Sequence, residues 1–266
     1  MDIYLAGTSS RPYLKENMDI FICAPHSNWM KDGLEENDNQ SISILESFVY
    51  VSDWMLPYIQ NRYWNFLLDS GAFTFMSDKA NSTGVNWDSY VARYCDFIRA
   101  NKIEKFFELD IDVVVGLKEV ERLRRKIEAA TGAQPIPVWH KARGLDYWRG
   151  MTKEYKYVAV GGIVTKEIKR DEHRIFTNLI NIAKENGAKV HGLGYTNLKG
   201  LEKYKFDSVD STSWLYGNRS GVVYKFNGRT IVQIKKPAGT MLAAREVAVN
   251  NFREWVKFQK YAEKNL

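Results

Sequence analysis

The chain has 266 residues, 45% hydrophobic and 14% aromatic, enough apolar surface to bury a sizeable core and to exclude intrinsic disorder. Lys and Arg number 38 against 32 Asp and Glu, and the net charge of +6 permits a polyanionic partner without requiring one. Cys23 and Cys95 are the only cysteines, which excludes a thiolate zinc site and a disulfide scaffold. No secretory pattern and no apolar run of about 20 residues is present, so no membrane partner and a cytoplasmic setting are expected.

Short apolar runs ending in a polar residue or glycine alternate with helix-like stretches. The runs are 2–7, 19–25, 66–71, 105–110, 136–140, 157–162, 189–194 and 208–212, all readable as buried strands. Residues 41–60 carry both β-branched residues and helical spacing and are read as mostly helix. Residues 87–100 set Tyr90, Val91, Tyr94, Phe97 and Ile98 on one helical face. A helix over 117–130 stops at Gly132 and Pro135, and weaker helices follow at 174–185 and 197–204. Eight strands alternating with helices predict a parallel (β/α)8 barrel over residues 1–215. An open doubly wound sheet is the alternative, but no G-x-G-x-x-G follows the first strand. Residues 216–266 predict a hairpin turning at Asn227-Gly228, then a helix over 241–264, as an appendage packed on the barrel.

Active sites of such barrels lie at the C-terminal strand ends. Here those ends carry Asp69-Ser70-Gly71, then Glu108, Asp110 and Asp112, then Trp139-His140, Gly161-Gly162, His191-Gly192 and Asp210-Ser211. A single aspartate at a strand end usually opens a loop or caps a helix. Three around one barrel mouth point to a site. Gly71 and Ala72 would let the backbone approach a flat ligand, and Phe73 offers a ring for stacking, unless it belongs to the core.

Asp69-Ser70-Gly71-Ala72-Phe73, Val158-Ala159-Val160-Gly161-Gly162, His191-Gly192-Leu193-Gly194 and Val209-Asp210 together resemble the tRNA-guanine transglycosylase superfamily in residue types and order. The resemblance spans about residues 60–215. It departs from the family in four places. The cysteine-rich zinc motif is absent, Ala72 stands at the second pocket glycine, and Trp139-His140 replaces the glutamine strand end. Ser211-Thr212-Ser213-Trp214 follows the nucleophile position. The chain looks most like the shorter, DNA-directed branch that inserts 7-deazaguanines.

The resemblance implies a nucleophile at Asp210 and a general acid/base at Asp69. Asp110 would accept hydrogen bonds from the base edge, with Ser70, Gly71, Phe73, Gly161 and Gly162 around the base. His140 and His191 add contacts, or serve only the packing. Two carboxylates flanking one sugar follow the logic of retaining glycoside cleavage. No cofactor or metal is expected. The partners implied are DNA with its target base flipped out, and a free 7-deazaguanine. Arg11, Arg143, Arg219, Lys235 and Lys236 are candidate phosphate contacts, although most such charges are simply solvated. One alternative is a DNA glycosylase that leaves an abasic site in phage DNA, as in antiviral defence. Another is a metal-dependent hydrolase using Asp110, Asp112, His140 and His191, which lacks the usual His-x-His opening strand. A catalytically dead nucleic-acid-binding relative is a further alternative, which the mouth carboxylates argue against.

Overall fold

A computed structural model describes residues 1–9, 42–61, 64–71, 74–75, 84–195, 197–215, 222–234, 239 and 243–266. The expected strand at 19–25, Ala72, Phe73, Arg11, Arg219, Lys235 and Lys236 lie outside the described residues.

Seven parallel strands form one curled sheet: β1 (Asp2–Ala6), β2 (Ile42–Ser47), β3 (Trp64–Asp69), β4 (Val138–Trp139), β5 (Tyr157–Val160), β6 (Lys189–Gly192) and β7 (Ser208–Ser211). Their order is β3-β2-β1-β7-β6-β5-β4, so β7 is central and β3 and β4 are the edges. The helices are α1 (Leu56–Gln60), α2 (Trp87–Ala100), α3 (Asp112–Val115), α4 (Leu117–Thr131), α5 (Gly144–Glu154), α6 (Ile175–Glu185), α7 (Leu198–Tyr204) and α8 (Ala244–Asn265). No helix among the described residues is long and apolar enough to cross a membrane.

The closed eight-stranded barrel read from the sequence is corrected to this half-barrel. The run at 105–110 is not a strand. It makes two isolated bridges, Leu68 with Phe106 and Phe107 with Ile136, in the gap between the edge strands. The Glu108 amide still donates to Ile136 O at 3.0 Å, and its buried carboxylate meets Arg124 at 3.4 Å and Arg143 at 3.3 Å. A second correction concerns residues 41–60. Ile42–Ser47 is a strand, buried along nearly its whole length, and only Leu56–Gln60 is α-helical. Its apolar run satisfied both periodicities, and sheet burial on two faces decided between them.

The inner face of the sheet is plugged by Tyr4, Ala6, Leu45, Leu67, Phe107, Ile136, Val138 and Ala159. The outer face packs against the helices. Alternation along each strand therefore puts Asp69 in phase with Leu67, His140 with Val138, and Gly161 with Ala159. Asp210 is in register with Tyr4 and shares the inner face. Helix α4 ends as read from the sequence, with Gly132 at φ +70°. The C-terminal hairpin, β8 (Val223–Phe226) with β9 (Ile231–Ile234), is antiparallel. Helix α8 docks on the sheet through buried Gln259, which accepts from Ser43 N at 3.1 Å and donates to Ser43 O at 2.8 Å.

Candidate active site at the strand ends

Asp69 closes β3, and its Oδ2 accepts the Gly71 amide at 2.9 Å. That turn needs Gly71 at φ +80°, and a Cβ there would lie 2.5 Å from Val49. Burial pushes the Asp69 carboxyl up, to about 6; the Gly71 bond opposes this, and the charges of Asp210 and Asp110 add to it. The three aspartates thus act on one another across one mouth. Ser70 is buried, its carbonyl accepting Tyr90 Oη at 2.6 Å, and its hydroxyl has no partner among the described residues.

Asp210 is fixed by one oxygen. Its Oδ1 accepts the Gly194 amide at 2.6 Å and lies 3.2 Å from His191 Nε2. Among the described residues its Oδ2 accepts nothing. His191 is fully buried, with Nδ1 2.6 Å from Ser208 Oγ, and Ser208 in turn bonds Tyr157 Oη. The arrangement fits one direction of donation. Tyr157 Oη–H donates a hydrogen bond to Ser208 Oγ, Ser208 Oγ–H to His191 Nδ1, and His191 Nε2–H to Asp210 Oδ1. The His191 ring sits edge-on to Phe107 at 5.3 Å, which ties the central strands to the bridging segment across the interior. His191 is therefore a buried support for Asp210 rather than an open contact surface. Asp207, three residues earlier, caps the opposite end of β7 by accepting Val190 N at 2.8 Å.

Asp110 is held differently. His140 Nε2 lies 3.0 and 2.8 Å from its two oxygens, and Arg143 lies 3.4 Å away. The other ring nitrogen of His140 is 2.9 Å from Glu167. Burial alone would lower the His140 pKa, but the bonds to Asp110 and Glu167 outweigh it and raise it to about 9. Gly161 leaves room for this ring: a Cβ there would come within 2.8 Å of Val138 and 2.9 Å of His140. At Gly162 the space belongs to Glu167, 2.7 Å from where a Cβ would sit. Both glycines thus seat the His140–Glu167 pair.

Arg143 is a correction. Read as a surface phosphate contact, it is 2% exposed and paired with Glu108, Asp110 at 3.4 Å and Asp112 at 2.9 Å. Asp110, Asp112 and His140 offer ligand atoms within 4.8 Å of one another. A metal there would compete with the Arg143 guanidinium already seated between the two aspartates and with the proton on His140. His191, the fourth residue of the hydrolase alternative, stands apart from the cluster with Asp210.

Sequence reading missed Glu167, Ser208 and Tyr157, and gave Gly194 only as part of the His191-Gly192-Leu193-Gly194 strand end. Glu167 lies in a loop without a motif, and the others hold aspartates only through tertiary contacts. No protein-family model matches the chain, and no curated protein matches it.

Proposed function

We propose that the protein cleaves the N-glycosidic bond of a flipped-out DNA base through a covalent intermediate on Asp210, exchanging guanine for a 7-deazaguanine. The observation that carries this reading is the pairing of two unlike carboxyls. Asp210 is anchored through Oδ1 and leaves Oδ2 open for attack, while Asp69 has a pKa of about 6 and can hold a proton near neutrality.

Asp210 Oδ2 attacks C1′ as the bond from C1′ to the base nitrogen breaks. The bonding electron pair leaves with the base, and the Asp69 proton neutralises it. An incoming base then gives a proton to ionised Asp69, bonds to C1′ from the face the first base left, and frees Asp210. Two inversions return the original configuration at C1′. Asp110, bonded by His140 and beside Arg143, is the group that would accept hydrogen bonds from the base edge. The choice of DNA and of a deazaguanine rests on the sequence resemblance.

The test incubates the protein with plain and modified DNA, with and without a free 7-deazaguanine, and measures released bases, incorporated bases and abasic sites by mass spectrometry. Guanine release matched by incorporation is the expected result. Release with abasic sites and no incorporation identifies the glycosylase instead. No base release from any DNA, together with no trapped adduct on Asp210, rejects the reading.

A further inference from the structure

The burial of Arg143 leaves a question for any polyanionic substrate: what holds its phosphates near a mouth lined by three carboxylates. A groove of about 720 Å³ runs beside Asp210, with Arg170, His173, Asn197, Lys199, Thr212 and Ser213 among its walls. Two of its lining residues tie it to Asp210. Gly194, whose amide anchors Asp210, lines it, and Thr212 follows Asp210 by two residues. Arg170 and Lys199 are exposed, and neither forms an ion pair among the described residues. By contrast, the cations around Asp110 are spent on protein carboxylates.

We propose that this groove binds the phosphodiester backbone next to the target nucleotide, with Arg170 and Lys199 as the phosphate contacts and Asn197, Thr212 and Ser213 as neutral donors. The inference rests on the reading of Asp210 as the residue that faces the sugar. Charge separation supports it. A phosphate over the mouth would face Asp69, Asp110 and Asp210, whereas a phosphate in the groove meets two cations that are unpaired among the described residues. The groove is open along one side, as a continuous chain requires and a small enclosed ligand does not. Apolar Val164, 63% exposed, forms its rim against Gly194, where a Cβ would come within 2.2 Å of Val164.

The experiment measures binding of a labelled single-stranded DNA oligonucleotide by fluorescence anisotropy across a salt series. It compares the full-length chain with Arg170→Ala, Lys199→Ala, the double variant Arg170→Glu/Lys199→Glu, and Arg170→Lys. Each lost phosphate contact should lower the slope of log K against log salt by roughly 1, and the double variant should bind at least about tenfold more weakly at low salt. Arg170→Lys should keep most of the slope. Melting temperatures of all variants should match, since these side chains are exposed. An unchanged slope in the double variant overturns the groove even if base release is normal. A reduced slope with no base release from wild type leaves the groove standing and rejects the glycosidic chemistry. Displacement of the oligonucleotide by an equal phosphate concentration of mononucleotide overturns the polynucleotide assignment, because the groove then recognises a single phosphate.

Discussion

Asp110 and Asp210 stand across the mouth from each other, one beyond the bridging segment in the sheet's gap and one on the central strand. Yet they are held by opposite means. Asp110 faces an imidazolium and a guanidinium, and both its oxygens are engaged. Among the described residues Asp210 faces an amide and a histidine whose own bonds are met by Ser208, and both contacts fall on one oxygen. A carboxylate neutralised by two cations is a poor nucleophile and a stable acceptor. One pinned through a single oxygen has its other oxygen held in a fixed direction. Under the proposed reading, the same residue type would serve as a fixed recognition group on one wall and a reactive group on the other.

The sharpest way to break this comparison is to exchange the roles. Asp210→Asn should cost at least about 10³-fold in base release and abolish adduct trapping, since the amide cannot attack. If Asp110→Asn loses as much and Asp210→Asn little, the walls have been assigned the wrong way round. Asp69→Asn should cost about 10²- to 10³-fold. In wild type the rate of base departure should fall as pH rises through about 6, where Asp69 gives up its proton. Single-turnover rates from pH 5 to 8 test this.

Stability separates the walls as well. Arg143→Ala strands Glu108, Asp110 and Asp112 without their shared cation and should destabilise the fold by about 3 kcal/mol, measured by urea unfolding. The pH dependence has opposite causes in two windows. The folded-state pKa of Asp69 lies above its unfolded value of 3.8. The native state thus binds the proton more tightly, and this contribution is lost between about pH 4 and 6. His140 is raised from 6.5 to about 9, so its contribution is full below about 6.5 and lost as pH rises through about 9. Asp69→Asn should flatten the first window and leave the second, and His140→Gln the reverse. The smallest effect is expected from Tyr157→Phe, which removes one donor from the chain behind Asp210. It should slow base release by roughly 3- to 10-fold with substrate affinity unchanged. A loss in affinity instead would mean that the chain shapes the pocket and not the nucleophile.

Local pattern alone determined much of this molecule. Short apolar runs gave β1, β3, β4, β5, β6 and β7, apolar spacings of three and four gave α2 and α4, and the Asn227-Gly228 turn gave the hairpin. It also put Asp69 and Asp210 at strand ends, because a strand that stops at an aspartate is visible without its neighbours. Contacts between distant segments decided the rest. Residues 42–47 became a strand because two neighbouring strands were there to pair with them. The segment at 105–108 makes single bridges to Leu68 and Ile136, neighbours its own sequence does not reveal. Arg143 looked like a surface cation because no sequence window shows three carboxylates from another segment closing around it. The same holds for the support behind Asp210: Tyr157, His191 and Ser208 come from three neighbouring strands, and only their pairing and register bring the side chains into one line of hydrogen bonds.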